Sequence, residues 1–201
     1  MKKLFIVLAV VALVVALGAP AGAQGKMALN IGLNVEFPMG TFGDAQGVGF
    51  GGTVQGEYAI MPQLVGTAKL GYIVWGGKDI TEEGVTISGG SYKGVPFLVG
   101  GKYYFMPPAK GQIQWYGQAE IGLFFGSYTI PAQNITVPGF GTVVATQEAS
   151  ASSTDFTFVP SVGAEIPMSK GAIDASVHYF LITSTGTAGS IGIRAGYKFP
   201  I

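Results

Sequence analysis

The chain has no cysteine among its 201 residues, and only 11% of them are charged. The first absence excludes disulfides, thiolate metal sites and a lipid-modified cysteine. The second lies well below the roughly 25% usual for a soluble domain, and mean hydropathy is correspondingly high at +0.44. Beyond residue 25, however, no apolar run is long enough to cross a membrane as a helix. The 33 glycines and 11 prolines also disfavour helices. An apolar chain without a helical span points to a closed β-barrel, the other architecture that satisfies every backbone polar group in lipid. One histidine, His178, is too little for a multi-histidine metal site.

The N-terminus carries an export pattern. Lys2 and Lys3 precede an apolar run from Leu4 to Leu17, followed by Gly18, Pro20 and the small residues Ala21, Gly22 and Ala23. The run is shorter than the about 18 residues a membrane helix needs, and it predicts a signal peptide over residues 1–23 with cleavage after Ala23. Residues 24–201 then form one barrel domain. Losing Lys2 and Lys3 leaves nine basic against eleven acidic side chains. This balance excludes nucleic acid as a partner, because phosphate binding needs a basic stripe. Gly47, Gly49 and Gly52 formally match a dinucleotide fingerprint, but they open a strand instead of joining a strand to a helix. No motif calls for a cofactor or a metal.

Eight segments alternate apolar and polar residues with the period of two that defines a half-buried strand. They cover 28–37, 48–60, 64–74, 95–105, 112–126, 155–166, 173–181 and 190–201. Connections alternate long and short, the short ones following the second, fourth and sixth segments. The pattern predicts an all-β, eight-stranded antiparallel up-and-down transmembrane barrel with short periplasmic turns and longer extracellular loops. The longest loops are 76–92 and 127–153. Part of the second is expected to extend its neighbouring strands as a hairpin.

Ten charged residues within these segments share the polar parity: Glu36, Glu57, Lys69, Lys102, Glu120, Asp155, Glu165, Asp174, Arg194 and Lys198. A cation on the lipid face costs about 2–4 kcal/mol at mid-bilayer, so this face is assigned to the lumen. Buried charges must pair. The expected lumen network joins Lys69, Lys102 and Lys198 to Glu57, Glu165 and Asp174, with Asp174–Lys198 as its leading contact and Arg194 meeting Glu120. Aromatics on the apolar face gather near the segment ends, as two interfacial girdles would. Val65, Ile73 and Trp75 break the rule, placing apolar groups on the polar side.

The closing residues carry a further signal. Arg194, Gly196, Phe199 and Ile201 resemble the assembly signal of small eight-stranded outer-membrane barrels of the kind represented by the OmpA membrane domain, OmpX and OmpW. The family usually ends on an aromatic residue, where this chain has Ile201. The resemblance covers the whole expected mature length. It implies a Gram-negative cell outer membrane, contact with its lipid and lipopolysaccharide, and insertion by the barrel-assembly machinery.

The expected function is a structural or surface-interaction role: a side-chain-plugged lumen carrying extracellular loops, with 76–92 and 127–153 as candidates for an extracellular ligand. The alternative is an OmpW-like carrier or narrow channel for small apolar molecules, favoured by four inward apolar residues, Leu98, Phe124, Val159 and Phe180. A lipid-modifying barrel enzyme ranks below both. It would need a lipid-accessible His178, whose parity points inward, with Ser176 and Asp174 on its face. No catalytic residue is assigned.

Overall fold

The computed structural model of the chain describes residues 27–82, 85–87, 89–107, 109, 111–137, 141–183 and 187–201. The expected signal peptide lies outside these residues. Eight long strands close a barrel: β1 (Met27–Met39), β2 (Gln46–Ala59), β3 (Leu64–Gly77), β6 (Ser91–Tyr104), β7 (Gln114–Ile130), β10 (Ala149–Met168), β11 (Gly171–Thr183) and β12 (Thr187–Pro200). Each pairs antiparallel with its neighbours in the order β1-β12-β11-β10-β7-β6-β3-β2. Two small hairpins stand apart from it, β4 (Ile80–Glu82) with β5 (Val85–Ile87) and β8 (Gln133–Val137) with β9 (Gly141–Thr146).

Closure comes from the stretch with the cleanest alternation. β12 pairs with β1 from Ala28↔Pro200 to Met39↔Gly189, which removes both sheet edges. The outer wall is apolar: Leu33 is 74% exposed, Phe50 63%, Val162 54% and Trp115 52%. The inner face holds the polar parity, with Asn30, Glu36, Lys102, Glu120 and Asp174 fully buried. A soluble barrel would put its apolar face inside. This inverted arrangement suits lipid outside and a narrow, filled interior.

Three departures from the sequence pattern have physical causes. First, β7 and β10 continue as a pair through Ser127↔Ser152 to Ile130↔Ala149, an extension of the kind expected for 127–153, which carries the ladder past the alternating segments. The hydropathy alternation follows the change of solvent, and it fades where the strands leave lipid although their hydrogen bonds continue. Second, residues in the connection after β1 form a short helix, α1 (Gly40–Ala45). Third, β6 begins at Ser91, so Lys93 is a strand residue, and it is exposed on the outer face. The confinement of strand charges to the lumen therefore stops at this rim position, level with Ser127, where water and headgroups replace the bilayer core.

Candidate functional site

The lumen is the site to which the sequence assigned the chemistry. Its short-turn half is a polar lattice around Lys102 from β6. The Lys102 ammonium lies 2.6 Å from Glu57 Oε1, 2.8 Å from Glu165 Oε1 and 3.3 Å from Asp174 Oδ2. These carboxylates come from β2, β10 and β11, so one side chain ties together strands on different sides of the barrel. The three acids converge closely enough to suggest a cation site, but the ammonium already stands among them. Lys198 Nζ adds contacts of 2.8 Å to Glu57 Oε2 and 3.0 Å to Glu165 Oε2.

Neutral donors complete this lattice. Tyr116 donates its hydroxyl to Asp174 Oδ1 at 2.6 Å and Tyr104 donates to Glu165 Oε1 at 2.9 Å, while Asn30 Nδ2 reaches Asp174 Oδ2 at 2.6 Å. Lys102 also stands over the Tyr116 ring, 4.4 Å from its centroid. A buried charge is tolerated when paired and hydrogen-bonded at once, and these groups have both.

Higher in the lumen the pairing departs from the sequence expectation. Glu120 is bound by Lys69. Arg194 instead donates Nε to Thr53 Oγ1 at 2.9 Å and Nη2 to Asn30 Oδ1 at 2.7 Å, with Nη1 at 3.7 Å from Asp174. The expected Asp174–Lys198 pair is likewise replaced. In the register Asp174 stands opposite Gly196 and Lys198 opposite Ala172, so Lys198 roots nearer the short-turn end and leans across to Glu57 and Glu165. Residue parity set the face correctly, but stagger around the closed wall decided the partners.

On the β1–β12–β11 side a second cluster centres on Glu36. Its Oε1 lies 2.7 Å from His178 Nε2, and Ser190 donates to Oε2 at 2.9 Å. Inward parity is the signal that could have joined these three. Asp155 lies near the long-loop rim and accepts from Ser153 Oγ at 2.6 Å.

Beside this polar cluster, the rest of the long-loop half is apolar. Leu98, Phe124, Val159 and Phe180 pack with Ile73, Trp75 and Ile182 in one buried cluster. The parity breaks at Ile73 and Trp75 are thus explained: both point into this cluster. Phe42 from α1 caps it, edge-on to Trp75 at 5.5 Å and to Tyr92 at 5.7 Å between centroids. Gly49 lies beneath Trp75, where a β-carbon would stand 2.5 Å from the indole; the glycines that mimicked a nucleotide motif include one that admits an aromatic plug. Between the polar and apolar halves is a gap of about 10 Å³ lined by Asn34, Thr53, Lys69, Leu98, Val159 and His178 among others, room for about one water.

A closed eight-stranded barrel, apolar outside and ion-paired inside, can be compared with known proteins. The family model described as the outer membrane protein beta-barrel domain matches residues 9–199. The chain belongs to this family. Membership places this outer-membrane barrel in the cell envelope, with the short-turn end facing the periplasm as is usual for the class. Among solved structures, it is similar to Ail, the attachment invasion locus protein of Yersinia pestis. That match has TM-score 0.53 and 17% identity, covering 88% of this chain and 99% of that one. It is also similar to Neisserial surface protein A, with TM-score 0.57 and 12% identity over 87% of this chain and 97% of that one. At such identities the likeness concerns the fold. No curated protein matches the sequence.

The terminal residues Arg194, Gly196, Phe199 and Ile201 all lie at the closing strand or its end. Arg194 is buried in the lumen, Phe199 and Ile201 are exposed, and Gly196 faces inward against Asn30 and Gly32.

Proposed function

We propose that this outer-membrane barrel is a non-conducting, non-catalytic scaffold that carries an extracellular recognition surface on its long-loop end. The observation that carries the reading is the three-way contact of Lys102 with Glu57, Glu165 and Asp174. It crosses the lumen and costs little flexibility, because all four groups grow from barrel strands. The apolar cluster above it supports the same reading. A carrier for apolar molecules requires a continuous cavity, whereas Leu98, Phe124, Val159 and Phe180 pack against one another.

The recognition surface is assigned to 76–92 and 127–153. Support comes from β7 and β10, which hold residues 149–154 exposed on a paired extension beyond the apolar wall. The names of the similar proteins, an attachment invasion protein and a surface protein, agree with a role at the cell surface. Arg194, Gly196, Phe199 and Ile201 are proposed to be read by the barrel-assembly machinery, and lipopolysaccharide to be the lipid met at the long-loop rim.

Loop shortening tests the reading. Cells displaying the full chain should bind at least one class of ligand on an array of immobilised glycans and matrix proteins. Replacing 131–148 by a two-residue turn should abolish that binding while the barrel still folds. Unchanged binding by the shortened variant, or none by the full chain, would remove the recognition role.

A further inference from the structure

The wall of the barrel has a seam between β10 and β11. Their pairing runs from Phe156↔Thr183 to Phe158↔Leu181, stops, and resumes at Ser161↔His178. Val159 and Pro160 therefore face Phe180 and Tyr179 without joining the ladder, although the same two residues pair normally with Glu120 and Ala119 of β7 on their other side. Proline is the cause, since it has no amide hydrogen to give to the neighbouring strand. Just above the break, the Thr157 hydroxyl takes over as donor to Leu181 O at 2.7 Å.

A groove of about 350 Å³ lies over this seam on the outer wall, lined by Pro160, Ser161, Val162, Val177, His178, Tyr179 and Ile191. Its volume is within the range of ligand pockets. Two features keep it open: the compact ring of Pro160 forms one side, and Tyr179 leans away along β12, its hydroxyl over Gly189. Most of the lining is apolar and continuous with the lipid-facing wall, where Val162 is 54% and Val177 50% exposed. His178 lines this groove and also the small gap inside the lumen. His178 is thus the boundary between the two, with its imidazole held on the lumen side by Glu36.

We propose that the seam is a lateral binding site for one acyl chain of the surrounding membrane, with Val162, Val177 and Ile191 as its walls and Ser161 and His178 as its floor. The occupant follows from position and chemistry: the groove opens in the apolar belt, is mostly apolar, and is reached from lipid without crossing water. The inference stands apart from the recognition role of the loops, and a filled lumen is compatible with it because the chain end stops at His178.

The test uses the full chain in vesicles of phosphatidylcholine doped with a phospholipid bearing a photoreactive acyl chain, with adducts mapped by mass spectrometry. Adducts are expected at Ser161 and His178, whose parity is inward, together with Val162 and Val177. Pro160→Val restores an amide donor and should lower the Ser161 and His178 adducts at least about fivefold, equivalent to ~1 kcal/mol. Labelling at Leu33 and Phe50 on the far wall should not change. Val162→Trp fills the groove without touching the backbone and should give the same loss, so the test survives a folding defect in either variant. Adducts confined to outward residues around the whole wall, or floor adducts unchanged in a folded variant, would overturn the site.

Discussion

Lys102 shows how much a single residue can hold. Removing one partner of a buried ion pair costs about 3–5 kcal/mol, because the charges left behind are uncompensated. Here three carboxylates would be left, two of them to Lys198 alone and Asp174 to the more distant Arg194. Lys102→Met should therefore lower the folding stability of the barrel in lipid vesicles by about that amount in a urea titration. Lys198→Met should cost less, since Lys102 still neutralises Glu57 and Glu165 in that variant and Lys198 is partly exposed. A second residue-scale prediction concerns Gly192, which lies opposite both Glu36 and His178. A β-carbon there would collide with the His178 ring and the Glu36 carboxylate. Gly192→Ala should shift the His178 ring resonances in NMR spectra of the folded barrel, whereas Gly47→Ala, which meets one backbone oxygen at ordinary distance, should leave them in place. The face taken by the lumen charges was legible in the sequence, because a period of two fixes it. The partners of Arg194, Lys69 and Lys198 were not, because they depend on the stagger accumulated around eight strands.

At the scale of elements, α1 and the bounds of the β7–β10 extension are the parts that alternation could not announce. The helix is six residues long and buries none of them fully. It is held by Phe42 on the aromatic cluster and by the Lys78 ammonium on Gly43 O. Phe42→Ala should open the long-loop mouth to water and shift the emission of Trp75 to the red. Recording this in a Trp115→Phe background separates it from the exposed lipid-facing indole. An unshifted spectrum would mean that Trp75 is covered by other groups. The bounds of the extension were hidden for a different reason: Ser127, Thr129, Ser150 and Ser152 pair as well as valines would, but their short polar side chains have no apolar rhythm to detect. Ile73 and Trp75 looked like errors of parity for the opposite reason, being apolar residues placed inward to fill the lumen.

The whole molecule is organised by its two solvents. Among the described residues, its outer wall excludes charge except at the rim, and the charges on its inner face are paired or hydrogen-bonded. Leu33 lies in the middle of β1 and is the most exposed of the large apolar side chains, so Leu33→Arg should cost about 2–4 kcal/mol of folding stability in a bilayer. A smaller loss would place Leu33 near an interface. The closing strand makes the fold all-or-none: deletion of 190–201 removes the partner of β1 and β11, and the remaining seven strands should fail to give the heat-modifiable migration of a folded barrel. Fold class was readable in advance because composition, alternation and loop lengths all depend on the same bilayer. The pairing inside the lumen was not, because it depends on contacts between strands far apart in sequence.

The most direct test of the plugged-lumen account is ion conductance of the purified wild-type protein in a planar bilayer. The ion-paired lattice around Lys102 and the aromatic cluster above it predict no sustained current beyond brief, small openings. A large, long-lived conductance through the unmodified barrel would contradict the account.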